Sequence, residues 1–117
     1  MKIGYLGPQG TFSQMAADKY AQFLSDIHKE NEVIPFSKIP DILKAVDSGE
    51  IDEGVVPFEN SIEGTVNYTI DSLIFDVNLH IKKEIVIPIC HNLMTRKECI
   101  GKKPEKIFSH PQSLGQC

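Results

Sequence analysis

The sequence predicts an α/β fold, a doubly wound parallel sheet, from three observations. Short apolar runs ended by Gly or Pro alternate three times with segments of helical apolar period inside the first 75 residues. The first run gives way to a Gly-Pro turn and the third ends in proline, as strands that lead into turns do. Polar clusters stand at the first and third strand-to-helix junctions, where open α/β sheets keep their ligands.

Lys2-Ile3-Gly4-Tyr5-Leu6 is the first strand, ended by the turn Gly7-Pro8-Gln9-Gly10. Thr11 and Ser13 are both possible caps for the helix that follows, whose stripe is Ala16, Ala17, Tyr20, Ala21 and Leu24. Glu32 to Phe36 is the second strand. Ser37 can cap the next helix, Pro40 suits its first turn, and Ile39, Ile42, Leu43 and Val46 form its apolar face. Gly49 stands where a helix end wants a left-handed residue. Gly54 to Phe58 is the third strand, with Pro57 at its end because proline has no N–H for a ladder. After a polar stretch, Val66, Thr69, Ile70, Leu73 and Ile74 resume the helical period.

From His80 the character changes to a β-rich stretch, Glu84 to Met94, interrupted by Pro88. A loop and Ile107-Phe108 precede Ser109-His110-Pro111, where proline opens a last helix. The sequence stops at Cys117 within that helix, so the expectation is a piece of something larger. Residues 1–75 are expected to form a first lobe and 76–117 the start of a second.

Composition narrows the function. The 117 residues are 41% hydrophobic and 24% charged, an ordinary globular balance that excludes collagen-like and fully disordered chains. No apolar run approaches the roughly 20 residues of a membrane span, and no signal-peptide core follows Met1. A soluble cytoplasmic protein is expected, with no membrane partner. A net charge of −4 argues against nucleic acid. The charge is uneven: five lysines against twelve carboxylates leave −7 up to Phe75, and seven bases against four acids leave +3 beyond it. Either the positive stretch is a solvated loop, or the chain changes lobe there. Cys90, Cys99 and Cys117 have no metal-ligand spacing and read as reduced thiols, not nucleophiles.

Three polar clusters carry the chemistry. Gly7-Pro8-Gln9-Gly10-Thr11-Phe12-Ser13 offers glycines and a helix N-terminus to an anion, yet it is neither GxGxxG nor a GxxxxGK[ST] loop. A plain turn with a capped helix explains it as well. Val56-Pro57-Phe58-Glu59-Asn60-Ser61-Ile62-Glu63-Gly64-Thr65-Val66 sets acid, amide and hydroxyl side by side after a strand. The bland alternative is that Asn60 or Ser61 caps a helix while Glu59 and Glu63 face water; the density of functional groups favours a site. The third is Ser109-His110-Pro111-Gln112-Ser113-Leu114-Gly115-Gln116-Cys117, in which His110 alone would be a structural or solvated histidine.

In this order, the clusters resemble the prephenate dehydratase family. The first is similar to its GPxGTFS motif; the second, with Asp71, to VPxENSxEGxVxxTxD; the third to HPQxLxQC. The resemblance implies a type II periplasmic-binding-protein-like fold with the active site between two α/β lobes, the second incomplete here. It implies decarboxylative dehydration of prephenate to phenylpyruvate on the route to phenylalanine, with no cofactor and no metal. Glu59 and Asn60 become the catalytic candidates. Gly7, Thr11, Asn60, Ser61, Ser109 and Gln116 become the substrate-binding ones. The family's Thr-Arg-Phe motif, whose threonine is the candidate proton donor, does not occur, and neither does a regulatory ACT domain. The chain alone is therefore expected to be inactive and to form a dimer or larger homo-oligomer through uncovered sheet edges. The alternatives are a non-catalytic small-carboxylate binding module, an arogenate dehydratase, and a structural fragment paired with itself.

Overall fold

In a computed structural model of the chain, the first 76 residues build a layered α/β unit. The structure describes residues 1–25, 27, 30–62 and 64–116, the side chains of 112 and 116 excepted. Strands β1 (Lys2–Leu6), β2 (Glu32–Phe36) and β3 (Glu53–Val55) form a parallel sheet in the order β2-β1-β3. Helices α1 (Phe12–Leu24) and α2 (Ile39–Asp47) connect them. Right-handed crossovers to opposite neighbours of β1 put the two helices on opposite faces.

The pleat of β1 divides the core. Ile3 joins Tyr20 and Leu24 of α1 on one face, while Leu6 packs against the Ile42, Ala45 and Ile51 cluster on the other. Gly4 pairs with Gly54 across the β1–β3 register. A Cβ there would come within 2.5 Å of Ile51 and 2.7 Å of Ile42 respectively, so the bare backbone lets α2 settle onto the sheet.

Several boundaries shift. Thr11, not Ser13, caps α1 by accepting from the Gln14 amide. Lys38 stands at the N-cap of α2 with no side-chain bond, so Ser37 does not cap it. The Lys38 carbonyl takes the Ile42 amide at 3.4 Å, and Pro40 needs no N–H partner in that first turn. Gly49 has φ +77°, the left-handed position expected after α2. β3 ends at Val55, so the expected strand over 54–58 is shorter and Pro57 lies beyond it. A small antiparallel hairpin follows, β4 (Glu59–Asn60) with β5 (Gly64–Thr65), then α3 (Asn67–Phe75) against α2.

Beyond α3 the expected strand over 84–94 is not formed among the described residues. A strand needs a neighbour to take its N–H and C=O groups, and this stretch lies against the side chains of α1 instead. A 3₁₀ turn, Lys97–Cys99, and a last helix, α4 (Pro111–Gln116), complete the chain. Pro111 opens α4 as expected. The radius of gyration, 16.7 Å, exceeds the about 13 Å of a compact chain this long. None of the described residues after Ser72 is buried.

Candidate active site

Chain direction makes the crevice. From β1 the chain leaves through α1 toward β2, whereas β3 lies on the other side of β1. Such a reversal parts the loops at the carboxyl ends of two neighbouring strands. Tyr5 pairs with Val55 as the last step of the β1–β3 ladder, and Gly7 and Pro57 each follow two residues on. The first two polar clusters therefore begin at one sheet end.

The first loop is internally tied. The Gly7 amide donates to the Phe36 carbonyl at 2.8 Å, and the Gly7–Pro8 peptide is cis. The Thr11 hydroxyl donates to the Pro8 carbonyl at 3.0 Å and accepts the Gln14 amide at 3.3 Å. Gln14 reaches back to take the Gly10 amide at 2.6 Å, a variant of the capping box. Gly10 turns the chain at φ +83°, a value L side chains rarely adopt. Thr11 thus shapes the loop. Gly7 admits close approach, but the close neighbour is the chain itself: a Cβ would stand 3.2 Å from Pro35 and 3.3 Å from the Phe36 carbonyl. An open depression of about 400 Å³ lies beside it, lined by Gly7, Pro8, Pro35, Phe36 and Ser37.

The second cluster is a hairpin, not a helix cap. Asn60 Oδ1 accepts from the Ile62 amide at 3.0 Å, closing the turn, and Val66 stands at the N-cap of α3 without a side-chain bond. The alternative of Asn60 or Ser61 as helix caps is therefore overturned. Glu59 and Ser61 are exposed and Asn60 half-buried, which leaves a carboxylate, an amide and a hydroxyl on one short turn. Glu63 lies outside the described residues.

Thr69 of α3 anchors this turn. Its side chain is fully buried and its hydroxyl donates to the Pro57 carbonyl at 2.6 Å. The Val66 amide donates to the Phe58 carbonyl at 2.8 Å. The sequence put Thr69 on an apolar stripe and at the threonine of the VxxTxD motif without giving it a role; a lone hydroxyl among Val66, Ile70 and Leu73 was the signal of a buried partner.

The third cluster lies at the far end of the described chain. Ser109 is exposed in the segment leading into α4, and α4 touches no other helix or strand among the described residues. The Gln116 side chain and Cys117 lie outside the described residues. Carboxylate and amide at Glu59-Asn60 can serve proton transfer and hydrogen bonding, and the head of α1 suits an anion.

Comparison with known proteins gives this geometry a family. A family model described as prephenate dehydratase matches residues 3–117. The prephenate dehydratase of Lactococcus lactis subsp. cremoris is 44% identical over 116 residues, covering 99% of this chain and 38% of that protein. The bifunctional chorismate mutase/prephenate dehydratase of Aquifex aeolicus is 39% identical over 117 residues, all of this chain and 30% of that protein. The X-ray structure of prephenate dehydratase from Streptococcus mutans superposes with a TM-score of 0.64 at 36% identity, covering 76% of this chain and 43% of that one. The chain spans about two fifths or less of the length of these relatives. Its α/β architecture with a parallel sheet, and its match along nearly every residue, place the chain in the prephenate dehydratase family.

Proposed function

We propose that this chain supplies the N-terminal part of a prephenate dehydratase catalytic domain, with Glu59, Asn60 and Ser61 at its reacting end. The carrying observation is that the Gly7–Thr11 loop and the Glu59–Ser61 turn leave neighbouring parallel strands at one switch point. In the reaction, the bond from the ring to its carboxylate breaks and releases CO2. Its electron pair completes the aromatic ring, and the 4-hydroxyl leaves as water after receiving a proton. Aromatisation drives this, so the protein's task is to hold a dianion and deliver one proton.

Residues 1–75 form the first lobe and 76–117 begin the second, in a periplasmic-binding-protein-like arrangement. Ser109 and Gln116 belong to the opposite wall of the cleft, and the proton donor is the threonine of a Thr-Arg-Phe motif that this sequence does not contain. No described helix is long and apolar enough to cross a membrane. A cytoplasmic biosynthetic role toward phenylalanine follows from the reaction, with prephenate as partner and neither nucleic acid nor membrane. Exposed Phe75, Leu93, Met94 and Phe108 support assembly into a homo-oligomer.

A chimera tests the reading: residues 1–117 replace the matching part of the Lactococcus lactis prephenate dehydratase, and phenylpyruvate formation is followed. The chimera turns over prephenate, whereas the 117-residue chain alone does not exceed the uncatalysed rate. Asn60→Ala lowers kcat/KM by about two orders of magnitude, roughly 2.7 kcal/mol of transition-state binding. Its thermal stability stays within about 1 kcal/mol. A folded chimera that turns over arogenate but not prephenate, or neither, overturns the assignment.

A further inference from the structure

After α3 the chain runs back along α1 as an extended strap. Lys83 Nζ lies 3.3 Å from the centroid of the Phe23 ring. The Lys19 ammonium donates to the Val86 carbonyl at 3.4 Å. Ile85 packs on the Ile3–Tyr20–Leu24 cluster. His91 meets Phe12 edge to face, with ring centroids 5.7 Å apart. Partners 23, 19 and 12 for residues 83, 86 and 91 make the strap antiparallel to α1. It ends at the residue following the Thr11 cap.

Glu53 holds the start of the strap. One of its oxygens accepts the Tyr20 hydroxyl at 2.5 Å, and the other accepts the Lys82 ammonium. The Glu53 side chain is 14% exposed and that of Lys82 71% exposed, so the anchor is inside and the strap is outside. A largely buried carboxylate is costly to leave without donors. By contrast, cation–π and edge-to-face contacts at the surface are each weak. Ile85 and Ile87 are half-buried while Val86 and Pro88 are exposed, a two-residue period. A slip by one residue would turn Val86 inward and carry His91 off Phe12 by about 3.3 Å. The Glu53–Lys82 pair sets opposite charges against that slip at the start of the strap, beside the Lys19 bond to the Val86 carbonyl and the Lys83 contact with Phe23.

We propose that Glu53 is a positioning residue for the candidate site: through Lys82 it sets the register of the strap on α1 and so seats His91 against Phe12, beside the Gly7–Thr11 loop. The seating stands on geometry alone; its bearing on a site rests on the dehydratase reading above.

NMR of the 117-residue chain decides it. The readouts are the nuclear Overhauser cross-peak between the Phe12 and His91 rings and their mutual ring-current shifts, with Phe12→Leu marking the origin of the shift. Glu53→Gln keeps an acceptor for Tyr20 but removes the charge facing Lys82, and Lys82→Met removes the cation from an exposed side chain. Both variants lose the cross-peak and the shift, while the amides of β1 and α1 keep their exchange protection; Lys82→Arg retains both signals. Persistence of the cross-peak in Lys82→Met overturns the proposal, including in the event that Glu53→Gln unfolds. Prephenate titrated into the wild-type chain separates the two readings. Unmoved Gly10 and Thr11 amides count against the site, and leave the seating of His91 by Glu53 as measured.

Discussion

Residues 1–76 and residues 77–117 carry similar apolar side chains and treat them differently. The buried hydrophobic core runs from Ile3 to Ile51, and α3 adds buried Thr69 and Ser72. No described residue after Ser72 is buried, although Ile81, Val86, Leu93, Ile100 and Phe108 would suit a core. The difference lies in partners. In the first region each strand has a neighbour in the sheet and each helix a face to cover, so local pattern and long-range contact agree. In the second, a β-rich stretch lies along the flank of α1 with no partner strand among the described residues, and a two-residue period over 85–88 survives without a strand.

Core truncation sharpens that contrast most. Ile42 is 0% exposed, pressed between the sheet and the rest of α2. Ile42→Ala is expected to cost about 2–5 kcal/mol of unfolding free energy, from lost burial and a residual cavity. Phe108 removes a larger side chain but is 89% exposed. Phe108→Ala is expected to stay within about 0.5 kcal/mol. Urea denaturation of both variants measures the pair. A Phe108→Ala loss comparable to that of Ile42→Ala would mean the second region is packed in solution, most simply against another copy.

How far the sequence could be read follows the same divide. Alternation and glycine punctuation were enough for three parallel strands, for α1 and α2, and for Gly49 as a left-handed stop, because nearest neighbours decide those. Caps were less legible: Ser37 and Lys38 differ by one residue, and the helix took the position that suited its packing. The stretch 84–94 was misread because strand pattern without a partner strand does not make a strand. At the site, the motif around Glu59-Asn60 was visible as a cluster. Its hairpin form was not, nor was the burial of Thr69, since both depend on contacts many residues away. Glu53 and His91 carried no sequence signal at all; charge and ring acquire meaning only when the strap crosses α1.

The smaller effect of Thr69 probes how the turn that carries the candidate site is tied to the first region. Its hydroxyl donates to the Pro57 carbonyl at 2.6 Å from a fully buried position. Thr69→Val keeps the shape and removes the donor, leaving that carbonyl unpaired at a cost of about 1–3 kcal/mol. Thr69→Ser retains the bond and is expected to lose less. In the Lactococcus chimera, Thr69→Val should also lower kcat/KM, because Pro57 leads directly into Glu59-Asn60. Equal stabilities for the Val and Ser variants would show that the bond does not hold the turn.

The finest test of the boundary between the regions is the pH dependence of Tyr20, whose hydroxyl donates to Glu53 at 2.5 Å. Burial first, then the hydrogen bond to Glu53 and its negative charge, push the Tyr20 hydroxyl up to about 12. In the unfolded chain it ionises near 10. The protonated form is therefore the one the fold favours. Its contribution is fully present below about pH 10 and is lost as pH rises through about 12. At pH 8, Tyr20→Phe should cost about 1 kcal/mol through the lost bond. Between pH 10 and 12 the gap between wild type and variant should shrink, because only the wild-type unfolded chain gains by releasing the phenolic proton. Urea midpoints taken at steps across that window read the gap directly. A constant gap would mean that Tyr20 titrates alike in both states, and that Glu53 is screened by water rather than enclosed between α1, β3 and the strap. If the Lys82 ammonium and the Tyr20 phenol share one carboxylate, adding Lys82→Met leaves Tyr20 still harder to ionise in the fold, so the gap should close at least as far over the same window. A gap that stays open in that background would break the link between the strap contact and the core of the first region.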